Sequence, residues 1–145
     1  MLPRRQTKLM ENRIAETISI DLVDISDHAL VVYTVRRLTA EMGFDKVQQS
    51  LISTAASELS TNIIRYAKKG RITVKSVHDS DREGIEIVAE DEGPGIENIE
   101  EAMKEHFSKG NGLGLGLSSV KRIMDDFDIQ SKPGHGTRIV ARKWR

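Results

Sequence analysis

The chain has 145 residues, 38% of them hydrophobic and 30% charged, which suits one domain large enough to bury a core. Lys and Arg number 22 against 22 Asp and Glu, so the formal charge is +0 and the basic excess of a dedicated nucleic-acid binder is missing. Without cysteine there is no disulfide, thiolate metal site or Cys nucleophile; no apolar run reaches the roughly 18 residues of a membrane span, and no apolar signal segment follows the basic residues 1–8, so a cytoplasmic protein is expected.

Residues 1–13 are polar and basic without a sustained period and read as a flexible arm, leaving one domain over residues 14–145. Over residues 14–23, Ile18, Ile20 and Leu22 alternate with Thr17, Ser19 and Asp21, which predicts a strand. Ser26 or Asp27 then caps a predicted helix running to about Met42, with Leu30, Tyr33, Val35 and Leu38 on its apolar face and Gly43 as its stop. Asp45 caps a longer helix to about Lys68, with Leu51, Ile52, Ala55, Leu59 and Ile63 near helical spacing and Gly70 as its terminator. Residues 71–77 and 84–90 predict a hairpin joined by the polar stretch 78–82. A loop (91–98), a short helix (99–105), a glycine-rich segment (108–116), a helix (117–126), a strand (127–131), a turn (133–136) and an alternating strand (137–144) follow. Because the strands come in pairs and do not alternate strictly with helices, the expected architecture is an α/β two-layer sandwich, a mixed sheet covered on one face by helices.

Six of the eleven glycines, Gly93, Gly95, Gly110, Gly112, Gly114 and Gly116, crowd into one part of the chain. The run from Gly110 to Gly116 leads into a helix carrying Val120, Ile123 and Met124, and bare amides beside a helix N-terminus suit a phosphate. The same run is also readable as a glycine-rich turn with no ligand, and it matches neither a dinucleotide fingerprint nor a P-loop. Asp91 follows a strand whose Ile85, Ile87 and Ala89 share a face, so its carboxylate stands at a strand end, where it suits an exocyclic amine. Gly93 and Gly95 would let the backbone turn against a flat ring, although an Asp-capped turn has the same composition. On the long helix, Glu58, Asn62 and Arg65 lie near one stripe that continues from Leu51 and Ala55. Polar groups on an apolar face need partners, which a divalent cation with phosphate oxygens would supply; a surface Glu–Arg pairing is the other reading. His28, His78, His106 and His135 show no metal-like spacing, Tyr33 and Trp144 read as packing residues, and Ser118 and Ser119 belong to no recognisable triad.

In order and spacing, Glu58-x-x-x-Asn62, Asp91-x-Gly93-x-Gly95, Gly110-x-Gly112-x-Gly114-x-Gly116 and Gly136-Thr137 resemble the N, G1, G2 and final boxes of the GHKL ATPase and kinase superfamily. The resemblance covers the chain from about residue 14 onward and implies the Bergerat fold, which binds Mg-ATP between its helices and a lid. It implies that Asp91, in one box with Gly93 and Gly95, holds the adenine amine, assisted by Thr137. Asn62 would hold Mg²⁺, Glu58 would act as general base, and Arg65 on the same stripe joins the nucleotide-binding set. The amides of Gly110, Gly112, Gly114, Leu115 and Gly116 would contact phosphate, and residues 106–111 would form the lid. Within the superfamily, Glu58-Leu-Ser-Thr-Asn-Ile-Ile-Arg-Tyr-Ala67 and Ala89-Glu-Asp-Glu-Gly-Pro-Gly-Ile96 are most similar to stand-alone serine/threonine kinases of the anti-sigma regulatory class, the RsbT-type switch kinases of the stressosome. That likeness implies phosphorylation of STAS-domain proteins on Ser or Thr, and activation of a PP2C-type phosphatase on release. Neither nucleic acid nor membrane is an expected partner. The alternative is a nucleotide-dependent module that holds a sigma factor and does little chemistry; an intact Glu58 favours catalysis.

Overall fold

The computed structural model describes residues 16–104 and 116–145. The expected arm over residues 1–13, the lid over 106–111, and Gly110, Gly112, Gly114 and Leu115 lie outside the described residues.

Five strands, β1 (Thr17–Leu22), β2 (Gly70–Asp79), β3 (Arg82–Asp91), β4 (Asp126–Ser131) and β5 (Thr137–Trp144), form one sheet in the order β1-β2-β3-β5-β4. Four helices accompany them: α1 (Asp27–Glu41), α2 (Lys46–Tyr66), α3 (Ile99–Ala102) and α4 (Gly116–Ile123). The sequence suggests a mixed sheet, but every strand pair among the described residues is antiparallel. β3 and β4 do run the same way; β5 lies between them and opposes both, so no parallel contact forms.

The helices cover one face, as the alternation of apolar residues requires. Leu22, Ile72, Val74, Ile85, Ile87, Ile139 and Ala141 point into a core completed by Val31, Val35 and Leu38 of α1, Ile52, Ala55, Leu59 and Ile63 of α2, and Leu117 and Val120 of α4. Buried hydroxyls within the helices bond back to backbone: Thr39 donates to the Val35 carbonyl at 2.7 Å and Ser60 to that of Ala56 at 2.8 Å, which satisfies them without a tertiary partner. The opposite face carries ion pairs across strands, among them Lys75 and Arg142 on the almost fully buried Glu86.

Three local expectations change. Leu30 and Tyr33 are 51% and 64% exposed, and the inward stripe of α1 is Val31, Thr34, Val35, Leu38 and Thr39: two small threonines count as core where the sequence pattern favours the larger apolar residues. Leu51 is likewise exposed, at the solvent margin of the α2 stripe. Gly70 does not terminate α2. Lys68 takes the left-handed turn at φ 70°, and Gly70 opens β2, where a Cβ would stand 2.7 Å from the Ile63 side chain and 2.5 Å from the Glu90 carbonyl oxygen. The cap at the other end of α2 is as expected, with the Asp45 side chain accepting from Gln48 N–H at 2.7 Å.

One row of residues crosses the whole sheet in register: Leu22, Gly70, Asp91, Thr137 and Ser131. Directly opposed residues of antiparallel strands share a face, so all five sit on the helix side, with the fully buried Leu22 at one end.

Candidate active site

A cleft of about 590 Å³ opens between α2 and the end of the sheet where that row lies, a size suited to a small-molecule ligand. Glu58, Asn62 and Arg65 line it from α2, Asp91 from the end of β3, Gly95 and Ile96 from the following loop, Ala102 from α3, Gly116 and Leu117 from α4, and Thr137 from β5. The described members of the three separate sequence signals thus converge on one cavity, apart from Gly93, which lies in the adjoining loop and is not part of the lining.

Helical spacing explains the α2 wall. Its inner stripe of Ile52, Ala55, Ala56, Leu59 and Ile63 is buried against the sheet, which rotates Glu58, Asn62 and Arg65 to the edge of that stripe and toward the cleft. Burial pushes the Glu58 carboxyl above its ordinary value of 4.5, while the Gly116 N–H and the charges of Arg65 and His28 oppose part of the rise. The Gly116 amide is donated to Glu58 Oε2 at 3.2 Å, so in this structure the first residue of α4 faces the carboxylate. Asn62 lines the cleft with no hydrogen-bond partner for its side chain among the described residues. The Arg65 guanidinium lies 5.8 Å from the Tyr66 ring centre, and both residues flank the cleft.

At the sheet end, Asp91 Oδ1 accepts from Gly93 N–H at 2.9 Å, which holds the carboxylate at the mouth of the turn and leaves Oδ2 without a partner among the described residues. The turn packs back to back against the β4–β5 connection. Gly95, at φ 76°, lies so close to the Lys132 carbonyl that a Cβ would overlap it, and Gly136, at φ 77°, stands in the same relation to the Asp91 carbonyl. Only glycine satisfies both the dihedral and the approach at these two positions. Gly134 N–H donates to the Pro94 carbonyl at 2.7 Å and completes the seam.

No group of three or more His, Asp or Glu side chains that could hold a metal occurs among the described residues. A cation at Asn62 would therefore take most of its ligands from phosphate and water, which suits Mg²⁺ and its reluctance to shed water. Two neighbours escape the sequence reading. His28 bonds Ser57 at 2.7 Å, bringing its charge to bear on Glu58 from a helix 29 residues upstream, and no local pattern signals such a contact. Ser131 bonds Thr137; its place five residues before Gly136 is the one sequence cue to it.

Residues 47–144 match the family model described as histidine kinase-, DNA gyrase B- and HSP90-like ATPase. The chain belongs to this ATPase family. Among curated members, it is 49% identical over 109 residues to the serine/threonine-protein kinase RsbT of Bacillus subtilis (strain 168), covering 75% of this chain and 82% of the relative. It is 36% identical over 99 residues to the anti-sigma F factor of Thermoanaerobacter sp. (strain X514), covering 64% of this chain and 68% of the relative. The crystal structure of the RsbU and RsbW domains of Rv1364c from Mycobacterium tuberculosis superposes with a TM-score of 0.60 at 19% identity, over 90% of this chain and 33% of that longer one, a likeness of fold alone. The resemblance drawn from the motifs and the α/β sandwich it implied both hold. This ATPase-family member is a homologue of a serine/threonine kinase and of anti-sigma factors, with an ATP-binding domain.

Proposed function

We propose that the protein is a Mg-ATP-dependent serine/threonine kinase that phosphorylates a STAS-domain partner, through one domain over residues 14–145 preceded by an arm over 1–13, in the cytoplasm. The observation that carries this reading is Glu58: a half-buried carboxylate on the cleft wall, its pKa raised by burial, one helical turn from the Asn62 amide, which has no hydrogen-bond partner among the described residues. A carboxylate so tuned is a better proton acceptor than an exposed one. Asp91 Oδ2 accepts from the adenine amine, and Thr137 beside it in the register row contacts the ring edge. Arg65 adds positive charge at the mouth of the cleft, and Glu58 takes the proton of the attacking Ser or Thr hydroxyl. Mg²⁺, held at Asn62, supplies charge neutralisation on the phosphate oxygens when bound. Released from the STAS partner, the kinase engages a PP2C-type phosphatase.

The 36% identity to an anti-sigma F factor favours a second reading, a module that holds a sigma factor when nucleotide is bound. Transfer of labelled phosphate from Mg-ATP into a STAS-domain protein, compared between the native chain and Glu58→Ala, separates the two. The kinase reading expects label on Ser or Thr that disappears with Glu58→Ala while ATP binding persists. ATP binding with no Glu58-dependent label on any partner would leave the binding module standing.

A further inference from the structure

Along α2, side-chain hydroxyls turn back onto their own helix: Ser53 donates to the Gln49 carbonyl, Thr54 to that of Ser50, Ser60 to that of Ala56 and Thr61 to that of Ser57. Ser57 departs from this pattern. Its Oγ lies 2.7 Å from Nε2 of His28, in the first turn of α1, and both residues are half-buried. A hydroxyl can donate to a neutral imidazole or accept from a protonated one, so the bond keeps the ring in place in either charge state.

Ser57 immediately precedes Glu58, and a charge on His28 favours the Glu58 carboxylate. The other groups that bear on that carboxylate are Arg65 on its own helix and the Gly116 N–H from α4. Arg65 keeps its charge at any working pH and the amide has none to lose, whereas an imidazole changes charge between about pH 5 and 8. Asp24 and Asp27, the acids nearest His28 in the chain, turn their carboxylates to the N–H groups of residues 23, 24 and 26. A protonated His28 steadies the Glu58 carboxylate and weakens it as a base; a neutral His28 withdraws that support and leaves a stronger base.

We infer that His28, held by Ser57 beside the catalytic turn of α2, is a positioning residue whose charge sets how readily Glu58 takes the substrate proton. The inference rests on the reading of Glu58 as the proton acceptor. In that step the Ser or Thr oxygen of the partner bonds to the γ-phosphorus of ATP, the bond from that phosphorus to the bridging oxygen breaks, ADP leaves, and the hydroxyl proton passes to Glu58. Loss of the His28 proton therefore speeds transfer over and above the ionisation of Glu58 itself.

The test follows the Glu58 carboxyl by ¹³C NMR over a pH series in the full chain, assigned with Glu58→Gln, for the native protein, His28→Gln, His28→Arg and Ser57→Ala, with thermal unfolding alongside. Single-turnover transfer of labelled phosphate from Mg-ATP to a STAS-domain protein is measured over the same series. His28→Gln, which cannot carry charge, moves the Glu58 titration and the acid limb of transfer upward by about half a pH unit, below the 1–3 units of an acid against a fixed cation. His28→Arg moves both downward and slows transfer at pH 8 about two-fold, because the base stays weakened after the native imidazole has lost its proton. Ser57→Ala frees the ring and shifts both curves toward those of His28→Gln. A Glu58 titration unmoved by His28→Gln and His28→Arg would overturn the inference. So would a loss of transfer equal at every pH and accompanied by a lower Tm, which is the mark of a packing residue. A native chain that labels no STAS-domain protein would instead remove the kinase reading, with the NMR titration still reporting whether His28 acts on Glu58.

Discussion

Replacing Gly136 with alanine, beside a Gly134→Ala control, tests whether the seam beneath the cleft sets the position of Asp91. Both glycines adopt left-handed dihedrals, φ 80° at Gly134 and φ 77° at Gly136, so each substitution carries a similar dihedral penalty of about 1–2 kcal/mol. They differ in space. A Cβ at Gly134 meets nothing within 4 Å, whereas one at Gly136 overlaps the Asp91 carbonyl oxygen and comes within 2.9 Å of the Asp91 carbonyl carbon and the Glu92 Cα. Backbone in the middle of a register row cannot swing aside as a side chain can, and overpacking of this kind adds about 1–3 kcal/mol. Partial relief from the lower entropy of the unfolded alanine chain applies to both. Gly134→Ala is thus expected to lose about 1 kcal/mol and Gly136→Ala about 3 kcal/mol, or roughly 4 °C and 10 °C in Tm. Denaturant unfolding without nucleotide measures the stability, and ATP titration measures the site: Gly136→Ala also weakens ATP because Asp91 is displaced, and Gly134→Ala does not. Equal losses of stability for the two variants, with ATP affinity intact in both, would refute the argument.

Glu58→Gln keeps an acceptor for the Gly116 N–H and removes a charge whose burial is unfavourable. Because folding raises the pKa of this acid above 4.5, the folded state binds the proton more tightly than the unfolded state, so the carboxylate weighs against folding above that pH and not below it. The variant should equal or exceed the native chain in stability at pH 7 and lose that margin as pH falls through the raised pKa toward 4.5, as urea unfolding over a pH series would reveal; a margin that grew on acidification would contradict the burial argument. Asp91→Asn retains an oxygen for the Gly93 N–H but places an amide against the adenine amine, and ATP affinity measured by calorimetry should fall at least about ten-fold; unchanged affinity would sink the assignment. Asp45→Ala removes the side-chain acceptor for Gln48 N–H and should cost about 1 kcal/mol in denaturant unfolding with ATP affinity unaltered.

The strands and long helices are legible because their signals are local. The alternation of Ile18, Ile20 and Leu22 marks β1, and Asp45 marks the start of α2 wherever the rest of the chain goes. The inward face of α1 is not, since Thr34 and Thr39 enter the core, Thr39 with its hydroxyl bonded back to the Val35 carbonyl, while Leu30 and Tyr33 are left outside. Gly70 misleads for a related reason: glycine after a helix usually means a left-handed cap, but here Lys68 takes that conformation and Gly70 answers the side chain of Ile63 across the interior. At the site, the spacing of Glu58 and Asn62 on one helix and of Asp91 with Gly93 and Gly95 in one turn survives in the sequence, because each set needs only a helix or a turn to bring it together. His28 beside Ser57, and Ser131 against the Ile96 N–H, are products of packing between distant segments and leave no spacing to read.

The place of β5 between β3 and β4 has a consequence for how the molecule comes into being. During synthesis β1, β2 and β3 can pair as each emerges, but β4 leaves the ribosome with no neighbour to bond, and β3 keeps one naked edge until residues 137–144 arrive to fill the gap. Thr137 comes with that last strand, and the Gly136 approach to Asp91 forms only as it docks. The nascent chain therefore holds the α2 half of its cleft well before the sheet half is complete. Nucleotide would first be retained only after β5 has inserted, and ATP retention on stalled chains of increasing length would register that closing event.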